Sequence, residues 1–466
     1  MIGNLSIPAQ LMDTPVSAST RELKRWQFGT DFRWGSATSS YQIEGAVTED
    51  GRGESIWDRF TSRPGTIRDG SSGAVACDHY HRWPADLDLM KDLGLDAYRF
   101  SVAWPRIYPQ GRGSLNSKGL DFYSRLVDGL LERGIEPWIT LYHWDLPQAL
   151  QDEGGWANRR TIDAFVDYAD TMSRHLGDRV KHWITHNEPW CTAFLGNFEG
   201  NHAPGLQDEK TAFQVCHHLL VSHGKAVPVI RNNVPDGRVG ITLSLHPLKP
   251  ASDSAADAAA TVRHDGLRNR WFLDPLYGKG YPADTWQQLG GMAPQVVPGD
   301  IEAIAAPTDF LGVNYYFPET VADAPAAPPI NTRVAHIDGL ERTAFGWEVS
   351  PEGLTELLVR IQRDYQPSEI YITENGSTYD DVLTPDGRVD DTKRCAYLIR
   401  HLQAARETIA LGVPLKGYFA WSLLDNFEWA EGYTRRFGLT YIDFATQQRI
   451  LKTSGNWFRQ FLHASS

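Results

Sequence analysis

Two glutamates close two strand-like stretches of this chain. Ile370-Tyr371-Ile372-Thr373-Glu374-Asn375-Gly376 alternates β-branched and aromatic residues, then runs into a carboxylate and an Asn-Gly turn. Trp183-Ile184-Thr185-His186-Asn187-Glu188-Pro189 has the same build: an apolar run, a polar tip, a glutamate, and a proline that ends strand pairing. Either glutamate alone is compatible with a surface turn. If both strands belong to one parallel barrel, their C-terminal ends open on the same face, and Glu188 and Glu374 share a pocket. Two carboxyl groups so placed can act as nucleophile and acid, the pairing that glycoside hydrolysis requires.

Other strand ends carry residues that suit such a pocket. Trp34 to Gly45 reads WGSATSSYQIEG, with Gln42 as an amide able to bridge two hydroxyls and Glu44 as a further carboxylate. Arg99, in Tyr98-Arg99-Phe100-Ser101, puts a guanidinium inside an apolar strand, where it needs a carboxylate partner. Tyr142-His143-Trp144-Asp145, Asn314-Tyr315-Tyr316 and the run from Trp421 through Asp425-Asn426-Phe427-Glu428-Trp429 complete a set of carboxylates, amides, one histidine and indoles. Asp78-His79-Tyr80-His81 lacks a third ligand at metal-binding spacing and reads as a loop leading into the second helix. Cys77, Cys191, Cys216 and Cys395 form no CxxC pair, so free thiols are expected, with no metal and no cofactor.

The elements that must position these residues recur in a rhythm. Strand candidates fall at 32–37, 97–102, 138–142, 182–187, 239–245, 310–314, 370–374 and 417–421. Amphipathic helical stretches lie between most of them, at 83–93, 118–133, 160–176, 212–231, 351–365 and 391–411. The simplest architecture is an α/β fold, a single (β/α)8 TIM barrel with enlarged βα loops; alternation alone also admits a doubly wound sheet. Residues 1–26 read as a loose N-terminal arm and 27–466 as one catalytic domain. The Pro-rich segment 318–329 reads as a long loop after the sixth strand, and 251–260 as a short helix or a loose loop.

Composition narrows the partners. A formal charge of −13, from 45 basic and 58 acidic residues, argues against nucleic acid and anionic membranes and fits a neutral substrate. The 16 Trp, 18 Tyr and 19 Phe supply faces on which sugar rings stack, although core packing accounts for many of them. No run approaches 18 apolar residues and the first 25 show no leader pattern, so a cytoplasmic location without a membrane anchor is expected. Assembly into a homo-oligomer is left open.

With these motifs in view, the chain resembles glycoside hydrolase family 1, the β-glucosidase and β-galactosidase family, from about Phe28 to Trp457. Thr185 to Pro189 and Ile372 to Gly376 resemble the family's TxNEP and ITENG segments, and WGSATSSYQIEG and WSLLDNFEWAEG its sugar-binding loops. The resemblance implies a barrel that hydrolyses β-glycosides with retention, Glu374 as nucleophile and Glu188 as acid/base. In that reaction the two carboxyl groups stand about 5 to 5.5 Å apart. Arg99 and the Tyr316 hydroxyl are suited to keep Glu374 ionised, which leaves Glu188 to carry the proton. Asn187 would donate to the 2-hydroxyl. Gln42, His143, Glu428 and Trp429 resemble residues that bind the other hydroxyls, with Trp421 as stacking floor and Trp144 and Asn314 in support. Trp347 falls where the family stacks an aglycone, with a loop anchor as the alternative reading, and Phe437 lies toward the same entrance.

The expected activity is a retaining β-glucosidase acting on cellobiose, short oligosaccharides or aryl β-glucosides. Glu428 disfavours a 6-phosphorylated sugar, and Glu at 188 points to O-glycosides whose leaving group needs protonation. Alternatives are a β-galactosidase- or β-fucosidase-leaning member, a sugar receptor without catalysis, and a barrel enzyme using His143 or Asp145 as base.

Overall fold

A computed structural model of the protein describes residues 23–464. Eight parallel strands close into a barrel: β1 (Arg33–Ala37), β2 (Ala97–Ser101), β3 (Glu136–Tyr142), β4 (His182–Asn187), β5 (Arg238–Ser244), β6 (Phe310–Asn314), β7 (Ile370–Asn375) and β8 (Leu415–Trp421). Each pairs with its neighbours in sequence, and β1 closes the ring on β8, with Ala37 opposite Trp421. Strands covered on both faces read as apolar runs, which is why all eight are visible in the sequence.

The principal helix after each strand is α1 (His79–Leu93), α2 (Ser117–Glu132), α3 (Arg160–Leu176), α4 (Glu209–Asn233), α5 (Ala255–Asp265), α6 (Pro351–Tyr365), α7 (Thr392–Ala410) and α8 (Thr453–His463). In α3 the buried Ile162, Phe165, Ala169, Met172 and Leu176 recur at three- and four-residue steps and form one apolar stripe. Helix α6 starts where Ser350 accepts from the Gly353 amide and Pro351 takes the first helical position.

Inside the barrel, Trp138, Phe310, Tyr371 and Phe419 form an aromatic plug, with Trp138 4.7 Å from Tyr371 and 5.0 Å from Phe419 between ring centroids. The plug fills the lower part of the barrel, so a pocket has room only above it, at the C-terminal ends of the strands. Two register shifts aim side chains into that space. In β4 the shift lies between Ile184 and Asn187; His186 turns outward to Ser222 at 2.8 Å while Asn187 turns inward to Arg99. In β7 it comes after Ile372; Thr373 and Glu374 both face inward and Asn375 turns outward to Tyr397 and Tyr418. An extra residue in one strand breaks the two-residue alternation and redirects the side chains beyond it.

Several loop expectations change. His79 and His81 lie in the first turn of α1 instead of a loop before it: the His79 ring bonds Asp86 at 2.8 Å, and His81 bonds Asp78 and Glu49. The segment 318–329 is in part a strand, Glu319–Asp323, paired with Leu248–Pro250 and Thr332–Val334 in a three-stranded sheet beside α5. Of the N-terminal arm, residues 1–22 lie outside the described residues. Leu23 is already buried and Arg25 donates to both oxygens of Asp96 at 2.7 Å, so packing begins before residue 27.

Gly376, just past β7, leaves no room for a side chain: a Cβ there would stand 1.8 Å from the carbonyl oxygen of Trp421. Gly376→Ala should lower stability by about 1–3 kcal/mol or more, read as a lower denaturant midpoint. An unchanged midpoint would mean that the ends of β7 and β8 do not approach this closely.

Candidate active site

Arg99 organises the mouth of the barrel. It rises from β2 and is fully buried; Nε donates to Thr140 of β3 at 3.1 Å, and Nη2 to Oδ1 of Asn187 on β4 at 2.5 Å. Nη1 donates to the Thr373 carbonyl at 3.0 Å and to Glu374 Oε1 at 2.6 Å on β7. The other oxygen of Glu374 accepts from the Tyr316 hydroxyl at 2.7 Å. A buried guanidinium without its carboxylate would cost about 3–5 kcal/mol, so this pair is fixed together.

Glu188 stands across from it, held by different groups. Its Oε1 accepts from Asn314 Nδ2 at 2.7 Å, and its Oε2 lies 2.9 Å from the Cys191 thiol sulfur. The Asn314 amide is fixed in this sense because its Oδ1 accepts from Thr373. Asn187 is fixed likewise: its Oδ1 takes Arg99 and Asn314, so its Nδ2 donates to His143 Nε2 at 3.1 Å. The proton of His143 is then on Nδ1, a buried donor with no protein partner.

A cavity of about 370 Å³ opens over these groups. Of the residues singled out in the sequence, His143, Trp144, Glu188, Tyr316, Glu374, Trp347, Trp421, Glu428, Trp429 and Phe437 line it. Gln42, Asn187, Asn314 and Arg99 stand behind that lining, buried and engaged with the protein. Gln42 receives a hydrogen bond from Ser39 and donates to Asn426 at 3.0 Å, to the Phe427 carbonyl at 2.9 Å and to Glu428 at 3.4 Å. Glu44 does not reach the cavity; Arg106 and Tyr123 take its carboxylate, at 3.0 Å and 2.5 Å. Trp347 packs against Phe345 at 4.5 Å and Phe317 at 4.8 Å, forming one aromatic wall.

Three non-glycine residues of the mouth, Trp144, Glu188 and Trp429, have positive φ angles of 78°, 45° and 47°. Such backbone is held only where the surroundings over-determine it. Here the Trp144 indole donates to the Asn187 carbonyl at 2.9 Å, and the Glu188 amide donates to the Thr242 carbonyl at 2.9 Å.

Electrostatics separate the buried groups. Burial pushes the Glu374 carboxyl up, Arg99 pulls it back, the neighbouring Glu188 raises it and Tyr316 lowers it, with the net direction upward. Arg99 therefore offsets only part of the desolvation that the sequence could not weigh. Glu428 is pushed up to about 8, first by burial and then by Glu374, Glu431 and Glu188. Near neutral pH its carboxyl is thereby held toward the protonated form, which can both donate and accept. Burial, aided by the Arg99 charge, holds His143 well below the usual histidine range, so its ring is neutral.

Sequence reading missed part of the wall: Trp190, Cys191, His202, Ser244, His246 and Arg268 also line the cavity. Trp190 and Cys191 come directly after the Glu188-Pro189 turn, and Ser244 and His246 end a recognised strand, which was a usable signal. Arg268, on the turn after α5, gave none.

The family model described as Glycosyl hydrolase family 1 matches residues 24–466. Beta-glucosidase A of Thermotoga maritima is 48% identical over 434 residues, covering 93% of this chain and 97% of that protein. Beta-glucosidase A of Acetivibrio thermocellus is 48% identical over 441 residues, covering 93% and 98%. The solved structure of the beta-glucosidase from Thermotoga maritima in complex with glucoimidazole matches with a TM-score of 0.90 at 47% identity, covering 92% of this chain and 97% of that one.

Independently of these likenesses, the surroundings of Glu374 set a titration that can be measured. The Tyr316 hydroxyl favours the charged carboxylate, so Tyr316→Phe should move the Glu374 midpoint upward by about one to two pH units. The readout is the 13C chemical shift of its carboxyl carbon against pH. A midpoint that stays in place or falls would show that this hydroxyl does not stabilise the charge.

Proposed function

Because the chain belongs to glycosyl hydrolase family 1, we propose that it is a retaining β-glucosidase in which Glu374 attacks the anomeric carbon and Glu188 protonates the leaving oxygen. The observation that carries this division of labour is the asymmetry of the hydrogen bonds on the two carboxyl groups. Oε1 of Glu374 faces Arg99, a permanent cation that can only donate, and Oε2 takes the Tyr316 hydroxyl, so the charged carboxylate is the better-bonded form. Glu188 has one oxygen on a donor and the other beside a sulfur that can also accept. Of one proton shared by the pair, Glu188 is the better host. That leaves Glu374 charged for attack, through a covalent glycosyl-enzyme that Glu188, now a base, helps water to open.

The rest of the cavity supports a glucosyl substrate. Trp421 offers a face for the ring, His143 an unpaired N–H donor, and Glu428 an acid that can donate to one hydroxyl and accept from another. Asn187 and Gln42 act from behind this layer, Asn187 toward the 2-hydroxyl and Gln42 by orienting Glu428. A 6-phosphate at that end would meet Glu428 and Glu431 without an unpaired cation among the described lining residues, which disfavours phosphorylated sugars. Cellobiose, short β-linked oligosaccharides and aryl β-glucosides are the proposed substrates.

A proton NMR time course with p-nitrophenyl β-D-glucoside tests the mechanism: β-glucose should appear first, and Glu374→Gln should abolish turnover. Initial release of α-glucose would overturn retention. Glu188→Ala should cut kcat on cellobiose by about 10²–10⁴-fold. It should be nearly silent in the glycosylation step with 2,4-dinitrophenyl β-glucoside, whose leaving group needs no proton. Equal losses on both substrates would remove Glu188 from the acid role.

A further inference from the structure

Register pairing between β6 and β7 ends with Asn314 against Glu374, so Tyr315 and Tyr316 lie past the strand ladder. One backbone bond follows, from the Tyr315 amide to the Glu374 carbonyl at 3.0 Å. The carbonyls of Tyr315 and Tyr316 take side-chain donors instead. Asn375, turned outward by the register shift in β7, donates through Nδ2 to the Tyr315 carbonyl at 2.7 Å and to the Tyr397 hydroxyl at 2.9 Å. With its oxygen accepting there, the Tyr397 hydroxyl directs its own proton to the Tyr316 carbonyl, at 3.4 Å. The Tyr418 hydroxyl of β8 donates to Asn375 Oδ1 at 2.7 Å. A carbonyl can only accept, so the sense of the Asn375 amide is settled and both its N–H groups are used. Asn375, Tyr397 and Tyr418 are fully buried, and none belongs to the cavity lining.

We propose that Asn375, completed by Tyr397 and Tyr418, is the positioning residue that sets the Tyr316 hydroxyl against Glu374, a role that rests on Glu374 as the nucleophile of the proposed reaction. The Tyr316 ring is half-buried at the cavity edge, with Trp347 at 5.3 Å and Phe437 at 6.0 Å as aromatic neighbours. Those contacts leave the ring free to slide along the wall. The 2.7 Å bond to Glu374 does not survive such a slide, since a hydroxyl displaced by about half an ångström loses much of its bond. Asn375 follows Glu374 directly in the chain. One side chain therefore ties the strand that carries the carboxylate to the backbone that carries its hydroxyl partner. Arg99 from β2, Glu188 after β4 and Glu428 after β8 also act on Glu374 or are acted on by it. None of them hydrogen-bonds to Asn375, Tyr397 or Tyr418, so these three reach the carboxylate by way of Tyr316.

The test is a pair of substitutions read by the titration of Glu374. Tyr397→Phe keeps the ring stacked on His401 at 3.7 Å and removes both bonds of the hydroxyl. It should raise the midpoint of the Glu374 carboxyl 13C shift by about half a pH unit, and the acidic limb of kcat/KM for p-nitrophenyl β-D-glucoside should move with it. In a Tyr316→Phe background the same substitution should leave the midpoint where Tyr316→Phe alone has put it, because the hydroxyl it acts through is gone. Tyr418→Phe, which frees Asn375 Oδ1, should shift the midpoint in the same direction by roughly half as much, and it decides the matter if Tyr397→Phe folds poorly. A lower melting temperature with an unmoved Glu374 midpoint would reduce the cluster to packing and overturn the proposal. Equal shifts with and without the Tyr316 hydroxyl would overturn it as well. Failure of the unaltered protein to cleave a β-glucoside would sink the parent reading alone, since the titration needs no turnover.

Discussion

A guanidinium buried at the mouth of a barrel must be fully satisfied, and the way Arg99 meets that demand fixes most of what stands around it. Its donors reach three other strands, through Thr140, Asn187, Thr373 and Glu374. Each contact orients a group that does something further: Asn187 fixes the tautomer of His143, and Glu374 presents its remaining oxygen to Tyr316. The aromatic plug beneath closes the lower part of the barrel, so Arg99 makes its bonds in a low-dielectric setting where each is stronger and harder to lose. The same setting raises Glu374, and the site balances one effect against the other.

Precision at this mouth comes from departures from regular structure. Strict alternation along β4 and β7 would not present Asn187, Thr373 and Glu374 to the same space; the two register shifts do. The positive φ angles at Trp144, Glu188 and Trp429 belong to the same pattern. Each such residue costs on the order of 1–3 kcal/mol, and the surrounding hydrogen bonds and packed rings hold it in place. Regular elements make the scaffold, and irregular ones aim it.

That division explains what the sequence could tell. All eight strands and most helices were legible because apolar period and turn residues are local signals, and the ends differ by at most four residues. Glu188, Glu374 and Arg99 were legible because a charge at the end of, or within, an apolar strand needs a reason. The layer to which a residue belongs was not: Gln42 and Asn187 stand behind the lining, and Glu44 is consumed by Arg106, since partners from distant segments decide these placements. Arg268 is the extreme case. Its meaning comes from Trp190, His246 and Glu319, none of which lies near it in sequence. The strand inside 318–329 was hidden for a related reason, because one of its pairing partners, Leu248–Pro250, lies in a different loop.

The bond between Gln42 and the Asn426 to Glu428 turn joins the first βα loop to the last. Because β1 must also wait for β8 to close the ring, a chain emerging from the ribosome has the Arg99–Glu374 neighbourhood within reach before it has either a closed barrel or the far wall of the pocket. Contacts between segments this far apart form late, after most of the loop-closure entropy has been met. The far wall of the pocket and the closed ring therefore both depend on the last strand and the loop that follows it.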